Sequence, residues 1–148
     1  MTLSKIVTAA TPVVAATALY FFLSHIGMPQ WMTLTLTVSV ALIIASLVQS
    51  VTICTRSGTR WWRSPALRKF GSDFVVSAVV AVPVAILLHA RFLWLSYGPR
   101  AVLESRSWTG WLDTGGGINT IFFVFTVACG IAAFWRLVTR RFSKKKMT

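Results

Sequence analysis

Four long apolar segments constrain this chain more than any other feature of its sequence. They cover about residues 6–26, 31–53, 74–95 and 121–138. Each is close to the roughly 20 residues that an α-helix needs to cross the hydrocarbon core of a bilayer. Charged residues make up 12% of the chain and apolar residues 55%, whereas a typical soluble domain is roughly 25% charged. We therefore predict an all-α membrane protein, a single domain with four transmembrane helices.

One stretch of the second segment looks locally like a β-strand. Residues 33–40 read TLTLTVSV, in which Thr or Ser alternates with Leu or Val, and this pattern is typical of a half-buried strand. The stretch runs into ALIIASLV, which has no alternation, and the whole segment exceeds the roughly 9–11 residues of a barrel strand. A helix satisfies its own backbone hydrogen bonds in lipid, and Thr and Ser hydroxyls can donate to the carbonyl one turn earlier. The segment is therefore predicted to be helical.

Basic residues are distributed unevenly along the chain, which has 15 Lys and Arg against 3 acidic residues. Twelve of the 15 lie before the first segment, in the loop 54–73, or from Arg136 into the tail 139–148. Because basic residues in short loops stay in the cytoplasm, both termini and the loop 54–73 are predicted to be cytoplasmic, and the loop 96–120 to lie outside. This placement explains the positive charge without nucleic acid as a partner. We expect the protein in a bacterial inner membrane.

Two basic clusters are expected at the cytoplasmic membrane surface. They comprise Arg56, Arg60, Trp61, Trp62, Arg63, Arg68 and Lys69 in the loop, and Arg140, Arg141, Lys144, Lys145 and Lys146 in the tail. Arg interleaved with Trp suits an interfacial segment on anionic lipid. The clusters are interpreted either as a surface for a lipid headgroup or an acidic partner, or more simply as anchors that fix the topology.

Ionisable residues inside the apolar segments are few, and this limits the chemistry of the chain. No Asp or Glu lies within a segment, since Asp73 stands at the entrance to the third, and proton-coupled transporters usually place a carboxylate in the membrane. His25 and His89 lie near the predicted outer surface, where they would either ligate a haem from both faces or stand as interfacial residues beside Trp94 and Tyr97, which is the simpler interpretation. We predict no enzyme activity, no catalytic residue, no metal and no cofactor.

Small and hydroxyl-bearing residues recur along faces of the first two segments. They are Thr8, Pro12 and Ala16 in the first, and Thr35, Ser39, Ser46, Gln49 and Ser50 in the second. Such faces let helix backbones approach closely, either within a four-helix bundle of this chain or against another subunit, and both interpretations remain open. The outer stretch 98–118, with Trp108 and Trp111, is expected to be an interfacial helix or a contact for a partner.

These features favour a non-catalytic membrane protein that acts as a subunit or accessory factor of a larger inner-membrane complex, such as secretion, respiratory or conjugation machinery. Its expected partners are membrane lipids, anionic on the cytoplasmic side, and other membrane proteins. One alternative is a pore of the holin type, assembled from copies of the chain. A second alternative is an electron-transfer subunit with a haem on His25 and His89.

Overall fold

The residues described by a computed structural model, 3–58 and 60–145, form an all-helical protein, as predicted. The helices are α1 (Leu3–His25), α2 (Gln30–Arg56), α3 (Pro65–Tyr97), α4 (Pro99–Leu103), α5 (Ser105–Asp113) and α6 (Gly116–Lys145), with a 3₁₀ helix at Trp61–Arg63. The four longest, α1, α2, α3 and α6, contain the four apolar segments except Ile26, which follows α1, and α4 and α5 lie between the third and the fourth segment.

Three of these helices, α2, α3 and α6, are long and apolar enough to cross a bilayer, which indicates an integral membrane protein. The apolar stretch found in α1, Ala9–His25, is shorter. The whole of α1 has 23 residues and is therefore about 35 Å long at 1.5 Å per residue, enough for a hydrocarbon core of about 30 Å. That α1 is a fourth span remains a prediction.

The strand-like stretch at residues 33–40 lies within α2, which confirms the helix prediction. Two of its hydroxyl groups donate to the carbonyl one turn earlier. The Thr35 hydroxyl donates to the carbonyl oxygen of Trp31 at 2.7 Å, and that of Thr33 to the carbonyl oxygen of Pro29 at 3.2 Å. The Thr37 hydroxyl has no hydrogen-bond partner among the described residues. The alternation of Thr with Leu therefore forms no strand here, because a helix accommodates Thr through bonds to the preceding turn.

The core of the protein is formed by α2, α3 and α6, which pack against one another, while α1 packs along α2. Small side chains fill the interior: Ser77, Ala81 and Ala85 recur every fourth residue of α3 and all are buried. Large apolar side chains such as Val79 and Leu87 point outward instead. This distribution suits a surface in lipid, where close backbone packing rather than burial of large side chains holds helices together. The predicted four-helix bundle is thus a three-helix core with α1 beside it.

The helices extend beyond the apolar segments into the predicted loops. α3 begins at Pro65, a residue suited to the first turn of a helix, so Arg68 and Lys69 lie on helix rather than in the loop 54–73. The stretch 96–120 contains α4, α5 and the first turn of α6, after a turn at Gly98 with a φ of 85°. Hydropathy marks only the part of a helix that suits hydrocarbon, whereas its hydrogen bonding continues into the polar interface.

Candidate functional site

The predicted packing face of α2 lies largely inside the protein. Ser39, Ser46 and Ser50 are buried, and Thr35 and Gln49 are half-buried. The Ser50 hydroxyl donates to the carbonyl oxygen of Ser46 at 2.8 Å, so it is satisfied without a partner protein. The serines of this face therefore serve contacts within the chain.

The corresponding face of α1 belongs to the helix that packs along α2. Pro12 and Ala16 are half-buried. The side chain of Thr8 lies outside the part of the chain whose side chains the structure describes. Two of the three predicted positions are thus partly covered within this chain.

A close approach in the core joins Ser39 of α2 to Gly130 of α6. A Cβ atom built on Gly130 would lie 2.8 Å from both Cα and Cβ of Ser39, closer than real Cβ contacts. Glycine is therefore required here for its lack of a side chain. Beside this crossing a groove of about 440 Å³ runs between α2 and α6, lined by large side chains such as Val38 and Phe134.

A buried arginine lies where α6 packs against α3. Arg136 exposes 5% of its side chain, forms an ion pair with Asp73, and donates to the carbonyl oxygen of Lys69 at 2.9 Å. Its guanidinium carbon also lies 5.4 Å from the ring centre of Phe70. Asp73 is exposed over 33% of its side chain. These contacts of Arg136 with residues 69–73 of α3 tie α6 to α3.

The same arginine borders a small, mainly apolar cavity of about 20 Å³, enough for one water molecule. Within the described residues, Nε and Nη1 of Arg136 and the hydroxyl of Ser46 have no hydrogen-bond partner, and both residues line this cavity. The sequence did not predict this pairing, because Arg136, near the end of the fourth segment, was counted with the basic run that continues into the tail. The feature of the sequence that could have indicated this pairing is Asp73, the one acidic residue near the predicted cytoplasmic ends of the spans.

The predicted basic surface is solvent-facing wherever its side chains are described. Those side chains are Arg56, Arg60, Trp61, Arg63, Arg68 and Lys69, and all are exposed. The side chains of Trp62, Arg140, Arg141, Lys144 and Lys145, and the whole of Lys146, lie outside the described set. Exposed cations around an exposed Trp61 are compatible with an interfacial surface, and recognition of anionic lipid there stays a prediction.

The two histidines occupy different surroundings. His25 is exposed in the last turn of α1. His89 of α3 stacks flat on Trp111, with ring centres 4.3 Å apart and planes at 5°, and meets the edge of Trp108 at 5.1 Å. Both tryptophans come from α5, so this helix is held onto the end of α3. A shared haem between the two histidines gains no support from these ring contacts, all of which join α3 to α5.

The two outer tryptophans make contacts within the chain, and both interpretations of the stretch 98–118 stay predictions. Trp108 and Trp111 are half-buried, and Nε1 of Trp108 donates to the carbonyl oxygen of Val102 at 2.8 Å. They pack inward on His89 instead of presenting a wholly exposed aromatic face. A cavity of about 520 Å³ lies beside them, between α3, α4 and α5.

In the described part of the chain, no group of three or more His, Cys, Asp or Glu residues lies close enough together to hold a metal ion. No family model matches the chain, and no curated protein or solved structure matches it either. The fold and the geometry of its grooves and cavities are therefore the basis for any functional conclusion.

Proposed function

We propose that the protein is a non-catalytic subunit or accessory factor of a larger membrane complex, and that it receives a membrane helix of a partner protein in the groove between α2 and α6. The observation that carries the proposal is the groove itself, which has a volume of about 440 Å³ and lies beside the close contact of Ser39 with Gly130. A partner helix would pack on the exposed side chains of this groove, since van der Waals packing drives the association of membrane helices. Val38, Ile131 and Phe134 line the groove and are exposed, so they offer apolar contacts to an incoming helix.

The proposed topology places both termini and the loop 54–73 in the cytoplasm of a bacterium, with α1 as the fourth span of the inner membrane. The support is the charge distribution, since twelve of 15 basic residues lie at the termini and in this loop. The energetic preference of anionic cytoplasmic lipid for Lys and Arg favours this orientation.

Reporter fusions test the topology. Alkaline phosphatase, which is active outside the cytoplasm, is expected to be inactive when fused after Lys145 or Gly58 and active when fused after Asp113. A green fluorescent protein that folds only in the cytoplasm should give the reverse pattern. If the Gly58 and Asp113 fusions behave alike, the third helix does not cross and the topology is wrong.

Photo-crosslinking in the native host tests the groove. A photoreactive phenylalanine analogue placed at Val38 or Phe134 is expected to form one discrete adduct with a membrane protein. The matched controls are Val79 and Leu87 on α3, which are exposed but lie outside this groove, and they should give only lipid adducts. Widening the side chain at Ile131 to Trp should reduce the adduct from Val38 at least severalfold, because it fills the groove.

The mass of the adduct distinguishes the outcomes. A protein other than this chain, found at the groove positions and absent at the controls, supports the subunit proposal. An adduct of twice the chain mass would replace it with self-assembly, as expected for a holin-type pore. Equal labelling at groove and control positions would show that lipid fills the groove and would refute both.

A further inference from the structure

A pocket that is aromatic at one end and charged at the other lies between the last turns of α3 and the helix α5, away from the α2–α6 groove. Its α3 wall consists of His89, Leu93 and Tyr97, which recur every fourth residue and so share one face. Its α5 wall includes Gly110 and Trp111. The cavity measures about 520 Å³, within the roughly 300–1,000 Å³ of small-molecule sites.

The less exposed end of the pocket is aromatic and contains one unsatisfied polar atom. His89 and Trp111, whose ring centres lie 4.3 Å apart, both line the pocket. Nε2 of His89 is buried and has no hydrogen-bond partner among the described residues. An unsatisfied buried nitrogen is costly, so a turn of the His89 ring toward the pocket would let a ligand hydroxyl or carbonyl group form a hydrogen bond with Nε2 that the protein alone lacks.

The mouth of the pocket is charged. Arg100 and Arg106 line it together with Glu104 and Tyr97, so two guanidinium groups oppose one carboxylate. Neither arginine forms an ion pair with Glu104 in the described part of the chain, where the salt bridge joins Arg136 to Asp73. The mouth therefore carries a net charge of about +1 and offers guanidinium donors, which suit carboxylate and phosphate oxygens.

We propose that this pocket binds a small anionic amphiphile, with its carboxylate or phosphate at Arg100 and Arg106, its apolar body between α3 and α5, and a hydroxyl or carbonyl group at Nε2 of His89. His89 and Tyr97 are eight positions apart in the helix, which corresponds to about 12 Å along its axis. The bound molecule is thus about two fused rings or a short chain in length, with polar groups at both ends. The proposal is independent of the partner helix proposed for the α2–α6 groove.

A matched set of naphthalene probes tests each end of the pocket separately. The full probe is 6-hydroxy-2-naphthoate, which carries a carboxylate and a hydroxyl at opposite ends of two fused rings. 2-Naphthoate lacks the hydroxyl, and 2,6-dihydroxynaphthalene lacks the carboxylate. Binding is measured by calorimetry on the full chain in phosphatidylcholine nanodiscs, with empty nanodiscs as the background.

We expect the full probe to bind with the highest affinity of the three. Loss of the hydroxyl should weaken binding about fivefold, as one neutral hydrogen bond would, and only while His89 is present. In His89→Leu the two carboxylate probes should bind equally. His25→Leu is the matched control, and it should leave the difference between the probes unchanged.

The mouth is tested with charge changes at exposed positions, which leave the packing intact. Arg100→Gln and Arg106→Gln should each weaken the full probe about tenfold, and Glu104→Gln should tighten it severalfold by removing the opposing charge. Arg91→Gln, also exposed on α3 but outside the pocket, is the control for general surface charge. The neutral dihydroxy probe should respond to none of these substitutions.

The lipid composition distinguishes the two sources of such a ligand. If nanodiscs with phosphatidylglycerol weaken probe binding in the wild type but not in the Arg100→Gln/Arg106→Gln protein, a lipid phosphate occupies the same arginines. If the lipid has no effect, a water-soluble amphiphile is the ligand. Probe binding that is absent up to about 1 mM, or that depends equally on Arg91 and Arg100, would overturn the proposal.

Discussion

Replacing Asp73 with alanine is expected to destabilise the protein by about 3 kcal/mol, more than removal of its partner Arg136. Loss of Asp73 leaves a guanidinium that is only 5% exposed without its counter-charge, and an unpaired buried charge costs roughly 3–5 kcal/mol. The low end applies because one third of Asp73 is exposed, so water already weakens the ion pair. Arg136→Met leaves the carboxylate instead, which can rehydrate, and should cost about 1–2 kcal/mol.

The double variant Asp73→Ala/Arg136→Met distinguishes charge from packing. It should be about as stable as Arg136→Met alone, since a buried ion pair replaced on both sides is often nearly neutral. Unfolding in mixed micelles with increasing dodecyl sulfate, followed by tryptophan fluorescence, measures these differences. Asp113→Ala, at an exposed site in α5, is the control and should change stability by less than about 0.5 kcal/mol. If Asp73→Ala matches this control, the Arg136–Asp73 pair does not hold α3 to α6.

Much of the helical fold could be predicted from the sequence because the bilayer imposes it. The length of each apolar segment indicates a helix, and the requirement for internal hydrogen bonds outweighs the strand pattern of TLTLTVSV. Hydropathy could not locate the helix ends. Arg68 and Lys69 lower the hydropathy at the start of α3, although the backbone there is as helical as in the apolar part.

The candidate sites were harder to predict because they depend on which helices become neighbours. Asp73 and Arg136 are 63 residues apart in the chain, and nothing local in either segment indicates that they meet. His89 was identified as an outer-surface residue, but its role follows from Trp111, which reaches it only because α5 folds back onto α3. Periodicity indicates the faces of α2, whereas only the packed chain shows that Ser39 lies against Gly130.

Adding one methyl group at Gly130 is expected to destabilise the protein by about 1–3 kcal/mol, the usual cost of overpacking a core. The added Cβ would lie 2.8 Å from the backbone Cα of Ser39, and a backbone atom cannot turn aside as a flexible side chain can. α2 and α6 would have to separate along their contact. Ser39→Gly should restore only part of the loss, because it removes the serine Cβ and hydroxyl but leaves the Cα in place.

Gly71→Ala is the matched control. Comparing the two substitutions shows whether steric overlap or helix propensity determines the change in stability at Gly130. Gly71 also lies inside a helix, but a Cβ built there meets no atom within 4 Å. Alanine is the better helix former by about 1 kcal/mol, so helix propensity alone predicts that both substitutions stabilise the protein. Only steric overlap predicts opposite signs at the two positions. Equal stabilisation by Gly130→Ala and Gly71→Ala would show that α2 and α6 do not cross at Ser39, and the proposed partner groove would then lose its base.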